Sequence, residues 1–262
     1  MTTLAASTSA AASSAASSIP SVDVRRDSPG HFYLFLGGTA VIIPALLLVD
    51  TPGLVPQLVL GLTTAAFLWL FASRSRADVT QTVCAIAVAS TGEVILSLGW
   101  GLYTYRNALI PLYVPFGHGI FYALAAESAR QAALQRIAPA IARGVLVAGS
   151  AIAAAGLLFF HDQWGLLWWI AAAVLIRRSR NQLLLCACFV YTLLLEWVGT
   201  AIGNWHWAAV VPFVGLRSAN PPSGVGILYI LLDLIVVTIC ASSAVRLIAG
   251  ARAPGGDLSE PA

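Results

Sequence analysis

Eight long apolar runs, separated by short gaps, leave this chain one kind of fold. They lie at about 32–49, 54–73, 79–102, 109–128, 140–160, 163–177, 182–203 and 225–247, most of them close to the ~20 residues that a bilayer-spanning helix requires. Hydrophobic residues make up 59% of the chain, charged residues 10%, and the mean hydropathy is +0.85. That is too little charge to clothe a water-facing surface. The prediction is an all-α, polytopic membrane bundle of about eight transmembrane helices. The sixth run is the shortest; Trp164, Trp168 and Trp169 give it an interfacial belt at one end, and a half-helix is the alternative there. Asp50-Thr51-Pro52-Gly53, His161-Asp162-Gln163 and Asn220-Pro221-Pro222-Ser223-Gly224 read as breakers that supply turns.

The cations test the count of spans. All 14 basic residues are arginines. With the N-terminus cytoplasmic, one side of the membrane holds Arg25, Arg26, Arg74, Arg76, Arg130, Arg136, Arg143, Arg177, Arg178, Arg180, Arg246 and Arg252, and the other only Arg106 and Arg217. This bias is the one expected of cytoplasmic loops, and it predicts a cell-membrane protein with both termini inside. Residues 1–22 are nearly all Ala, Ser and Thr, without the cationic start and apolar core of a signal peptide. We expect disordered tails over 1–30 and 251–262. The formal net charge of +3 carries no nucleic-acid signal, because no arginines cluster with stacking aromatics. Cys84, Cys186, Cys188 and Cys240 sit in apolar runs without metal-ligand spacing and read as core residues.

One stretch occurs twice. The first copy runs from Glu93 through Gly101, Tyr103 and Tyr105 to Pro115-Phe-Gly-His118-Gly-Ile-Phe-Tyr122; the second runs from Glu196 through Gly203, Trp205 and Trp207 to Pro222-Ser-Gly-Val225-Gly-Ile-Leu-Tyr229. Matching them needs one single-residue offset and a longer second loop. The copies fall on the third and fourth and on the seventh and eighth runs, pointing the same way. This predicts two parallel four-helix repeats, over 31–130 and 131–250, with a shared site at their interface.

Four ionisable side chains lie well inside the runs that carry the copies, away from Glu127 and Arg246 at the run ends: Glu93, His118, Glu196 and Asp233. A carboxylate in hydrocarbon costs roughly 2.5–3.5 kcal/mol on insertion scales and so faces the bundle interior. By position in their helices all four are expected at similar height in the outer half of the bilayer, as the candidate catalytic residues. Ser90 and Ser97 flank Glu93 at helical spacing, and Thr192 and Thr200 flank Glu196, so hydroxyls are expected beside each carboxyl. A protonated carboxyl there would serve as a general acid, while interhelical hydrogen bonding is the plain structural reading. His118, matched by Val225, is either a cap on a polar pocket or an acid–base partner. Glu127, near Arg130, is expected to be a solvated interfacial charge. Tyr103, Tyr105, Trp205 and Trp207 are expected to anchor the chain at the interface, with a lid over a pocket as the alternative. With Tyr122 and Tyr229 they are the candidate substrate-contacting side chains. The Gly-x-Gly pairs at 117/119 and 224/226, and Gly199 with Gly203, suit close helix approach. No metal and no cofactor is called for; the expected partners are membrane lipid and an apolar small molecule, and nothing indicates an oligomeric state.

A helix bearing Glu, then Gly-x-Trp/Tyr-x-Trp/Tyr, a loop and a Pro-led helix, duplicated in one chain, resembles the small integral-membrane carotenoid enzymes. These are the heterodimer-type lycopene cyclases and the related carotenoid hydratases. The likeness covers about a third of the chain, and it makes Glu93 and Glu196 the helix carboxylates and the four exit residues the family aromatics. The cyclase Pro-x-Glu-Glu is absent, since Pro115-Phe-Gly-His118 and Pro222-Ser-Gly-Val225 stand there. The resemblance implies acid–base modification (cyclisation or hydration) of an isoprenoid or other lipid. A non-enzymatic membrane protein, either a proton-coupled transporter or a structural subunit, is the alternative from the residues alone.

Overall fold

A computed structural model describes residues 29–75 and 78–242. Residues 1–28, the C-terminal tail, the end of the eighth apolar run, and Arg25, Arg26, Arg76, Arg246 and Arg252 lie outside the described residues. Each apolar run contains a helix, because a helix satisfies its backbone groups within one segment. In chain order they are α1 (Pro29–Leu48), α2 (Leu54–Ala72), α3 (Val79–Glu93, continuing as a π-helical turn over Val94–Gly99), α4 (Val114–Arg130), a short α5 (Ala132–Arg136), α6 (Ala138–Phe160), α7 (Gln163–Arg178), α8 (Gln182–Ile202) and α9 (Ile227–Ala241). Five of them, α1, α2, α3 with its π turn, α6 and α8, are long and apolar enough to cross a membrane. The sixth run forms one continuous helix, α7, capped at its start by the Asp162 carboxylate.

The core is a ring of four helices, α3, α4, α8 and α9, the ones that carry the duplicated stretch. Around the ring α3 packs on α4, α4 on α8, α8 on α9 and α9 on α3. Exchanging the two copies turns each of these contacts into another of the same set. Glycine sets the spacing at the second copy: a side chain at Gly226 would meet the Phe189 backbone oxygen at 2.5 Å, and one at Gly224 would meet the Trp169 backbone nitrogen at 2.2 Å. The remaining helices break the exchange. α1 packs on α4 and α8, whereas its counterpart α6 packs on α7 and α8.

Two three-residue strands close one end of the ring. β1 (Tyr103–Tyr105) follows α3, β2 (Trp205–Trp207) follows α8, and they pair antiparallel with Tyr103 opposite Trp207, Thr104 opposite His206 and Tyr105 opposite Trp205. Gly101 and Gly203 make the turns into them at φ 73° and 82°, a conformation only glycine adopts freely. Between helix and strand the first copy carries the extra residue. The π turn absorbs it, with Trp100 N–H donating to Ile95 C=O, five residues back, at 2.7 Å.

Two buried aspartates tie the outer loops to this frame. Asp50, after α1, accepts from Gln57 Nε2 (2.6 Å), Tyr113 Oη (3.2 Å) and Asn204 Nδ2 (3.2 Å), with Arg106 at 3.5 Å. Asp162, after α6, accepts from the backbone N–H of Gly165, Ala219 and Ser223 at 3.0, 3.0 and 2.7 Å. A glutamine stands beside each: Gln57 Oε1 accepts from Leu112 N–H, and Gln163 Oε1 from Arg217 N–H, both at 3.1 Å. Residues that read as simple breakers are thus the pins of two loops.

Candidate active site

In a strand, alternate side chains share a face. Thr104 and His206 are therefore exposed while Tyr103, Tyr105, Trp205 and Trp207 turn inward and are buried. The inward four do not anchor the chain at an interface, the expectation from their position. They roof a cavity of about 330 Å³ inside the helix ring, and each pair seizes the carboxylate of the helix that precedes it.

On the first copy, Tyr103 Oη and Tyr105 Oη donate to Glu93 Oε2 at 2.7 and 2.8 Å. Glu93 Oε1 lies 3.1 Å from His118 Nε2, and His118 Nδ1 lies 2.7 Å from Tyr229 Oη. This chain of contacts runs from α3 through α4 to α9. On the second copy, Trp205 Nε1 and Trp207 Nε1 donate to Glu196 Oε2 at 2.7 and 2.9 Å. Glu196 Oε1 has no hydrogen-bond partner among the described residues. Burial first, and then the adjacent Glu93 carboxylate, push Tyr103 and Tyr105 well above the ordinary phenol range. Both therefore stay protonated, as donors.

Of the ten residues singled out from the sequence, Glu93, His118, Glu196, Tyr103, Tyr105, Trp205, Trp207 and Tyr229 line this one cavity. Tyr122 and Asp233 do not. Tyr122 Oη reaches Gln81 Oε1 at 3.4 Å instead. Asp233 is buried one helical turn, about 6 Å, beyond Tyr229 and off the cavity wall. The expected hydroxyl neighbours are also absent from the carboxylates. Thr192 donates to Cys188 C=O and Thr200 to Glu196 C=O, at 2.8 and 2.6 Å, the back-bonding that a helix offers any Thr. Ser90 Oγ is buried without a hydrogen-bond partner. Glu127 is likewise not solvated: it is 2% exposed, with Arg130 at 3.4 Å and Gln131 Nε2 at 3.2 Å.

Gly199 belongs to the site although its spacing suggested helix packing. A Cβ there would fall 2.1 Å from the Trp205 ring, so glycine is what lets the indole lie across α8 to reach Glu196. The rest of the wall is apolar, drawn from α1, α3, α4, α8 and α9. Such a largely apolar chamber strengthens the electrostatic contacts within it, and it holds two carboxyl groups and an imidazole. No family model, curated protein or solved structure matches the chain.

Proposed function

We propose that this is a membrane enzyme of eight spans, built as two parallel four-helix repeats, that carries out acid–base chemistry on an isoprenoid or similar apolar lipid. Support for the repeat comes from the antiparallel ribbon, whose pairing exchanges the copies, and from the recurrence of the Asp–Gln loop pins. The arginine bias puts the termini in the cytoplasm and the cavity beneath the external face.

The observation that carries the chemistry is the unlike treatment of two carboxyls in one cavity. An indole N–H only donates, so both indoles fix Glu196 Oε2 as an acceptor. Any proton on Glu196 must then sit on Oε1, the oxygen left for a ligand. The phenols and imidazole around Glu93 can both give and take protons. Glu196 is therefore the acid: its proton adds to an alkene carbon and leaves a carbocation under the π faces of Trp205, Trp207 and Tyr103. The Glu93–His118 pair is the base. It removes a proton from the adjacent carbon to give an isomerised alkene. Where a second double bond of the chain has first attacked the cation, forming a ring C–C bond and moving the charge, it removes one from the carbon next to the new cation to give a cyclised alkene. In hydration it takes a proton from the water that adds to the cation. The resemblance to the carotenoid cyclases and hydratases points the same way, with His118 and Glu93 doing the work of the absent Glu-Glu pair.

The test is lipid extraction from cells with and without the gene, beside Glu93→Gln and Glu196→Gln. A product that vanishes in both variants while the folded protein accumulates to normal levels is the expected result. An unchanged lipid profile overturns the enzyme, and loss of proton-coupled uptake in the same variants would make the protein a transporter.

A further inference from the structure

The ring of four helices has two seams that exchange with one another, α4 against α8 and α9 against α3, and among the described residues a further helix packs across only the first. α1 lies over the α4–α8 seam, packing on both helices, and puts Ile43, Leu46 and Leu47 into the cavity wall. Its counterpart α6 has gone to α7 and α8 and contributes nothing to that wall. On the uncovered side, Leu231 and Ile235 of α9 line the cavity and are also 42% and 46% exposed. The cavity therefore reaches the outside of the bundle beside α9. Across the seam, α3 presents the small residues Ala89 and Gly92 to the same cavity, and a Cβ at Gly92 would meet no atom within 4 Å.

We propose that the α3–α9 seam is a lateral portal through which the end of a long hydrocarbon chain enters from the bilayer. The outer faces of the same two helices are largely apolar: Val94, Ile95, Leu98, Leu234 and Val237 are all exposed, and the exposed hydroxyls of Thr91 and Thr238 are bonded back to their own helices. A polar solute would have to cross that surface, whereas a lipid chain already lies against it. The cavity is at the small end of ligand pockets, which run roughly 300–1,000 Å³. It holds one end of a long-chain lipid, with the remainder left between the helices and the surrounding acyl chains. Glu93 and Glu196 then act on a terminal segment, not a central one. This rests on the lipid-enzyme reading only for what happens after entry.

The experiment uses the full-length protein in phosphatidylcholine nanodiscs with hexadecanol carrying a diazirine at its methyl end. After illumination, labelled residues are mapped by mass spectrometry. Labelling is expected at the cavity carboxylates, Glu93 or Glu196, and on α9 at Leu231 or Ile235. Gly92→Leu, whose Cβ would meet no atom within 4 Å, puts a branched side chain into the portal and should abolish the cavity labels. Gly37→Leu, at an exposed glycine of α1 with equal space around it, should leave them intact. Labels confined to α1 and α4, or cavity labels that survive Gly92→Leu, overturn the portal. If Gly92→Leu removes the labels but the Glu variants leave cellular lipids unchanged, the portal stands and the enzyme reading falls.

Discussion

The two copies of the duplicated stretch solve one geometric problem with different chemistry. Each takes a carboxylate on a membrane helix and locks one of its oxygens with two aromatic donors from the strand that follows. In the second copy both donors are indoles, and the position matching His118 is Val225, fully buried. In the first both are phenols, and an imidazole holds the other oxygen. A carboxyl held by donor-only groups has a fixed orientation and no route for its proton except into the cavity. One held by phenols and imidazole belongs to a network in which a proton can move. The clamp recurs between copies, while the side chains able both to give and to take a proton belong to the first. The loop pins diverge in a similar way, since Asp50 is met by side chains and Asp162 by backbone N–H groups.

That last difference predicts the largest effect. Asp162→Ala would strand the buried N–H groups of Gly165 and Ser223, and the half-buried one of Ala219, none of which can turn elsewhere. Each buried group costs about 1–3 kcal/mol, so a loss on the order of 3–5 kcal/mol is expected once the site relaxes. Asp50→Ala should cost about half as much, because Gln57, Arg106, Tyr113 and Asn204 can swing towards water or one another. Thermal unfolding in detergent orders the two, and equal losses would show that the pins are interchangeable.

His118→Val makes the first copy imitate the second. It leaves Glu93 Oε1 and Tyr229 Oη without their partner, and a loss on the order of 2–4 kcal/mol follows from two buried polar atoms. The lipid product should disappear as well, while the ribbon and the Glu196 clamp persist. Retention of product would show that His118 only caps the pocket. Tyr105→Phe removes a single oxygen from the same cluster. A hydrogen bond to a charged group is worth about 1.5–3 kcal/mol, so a loss in that range marks an ionised Glu93, and a loss below about 1 kcal/mol marks a neutral one. The same melting assay reads both variants.

Much of this was legible in the residues because helices in lipid follow length and hydropathy. All eight runs contain helices, and two carboxylates at matched places in a repeat do meet one cavity. Facing was harder to read. Tyr229 and Tyr122 occupy the same place in their copies, yet only Tyr229 reaches His118, since α4 is buried all round over residues 119–125 and apolarity does not say which side borders the void. The inward turn of Tyr103, Tyr105, Trp205 and Trp207 was hidden for a different reason: amphipathic aromatics suit a bilayer interface and a buried carboxylate equally well. The alternation of Thr104 and His206 with them was the signal for a strand. The loop aspartates looked like turn formers because their partners, such as Tyr113 and Ser223, lie 63 and 61 residues away.

The smallest effect concerns the extra residue in the first copy. Eight positions separate Glu93 from Gly101, and seven separate Glu196 from Gly203. If the π turn exists only to absorb that residue, deleting Leu98 should return Val94–Gly99 to α-helix and restore the spacing of the second copy. The glycine turn and both phenols would then reach Glu93 as the indoles reach Glu196. A cost of about 1 kcal/mol or less is expected, with the protein folded and the ribbon paired. Deleting Val198 from α8 removes a residue where nothing is spare. It would rotate Gly203 and the strand by about 100° relative to Glu196 and pull Trp205 and Trp207 off the carboxylate. Unfolding of the Leu98 deletion would mean that the π turn is itself part of how Glu93 is aimed, and that the two clamps differ in backbone as well as in chemistry.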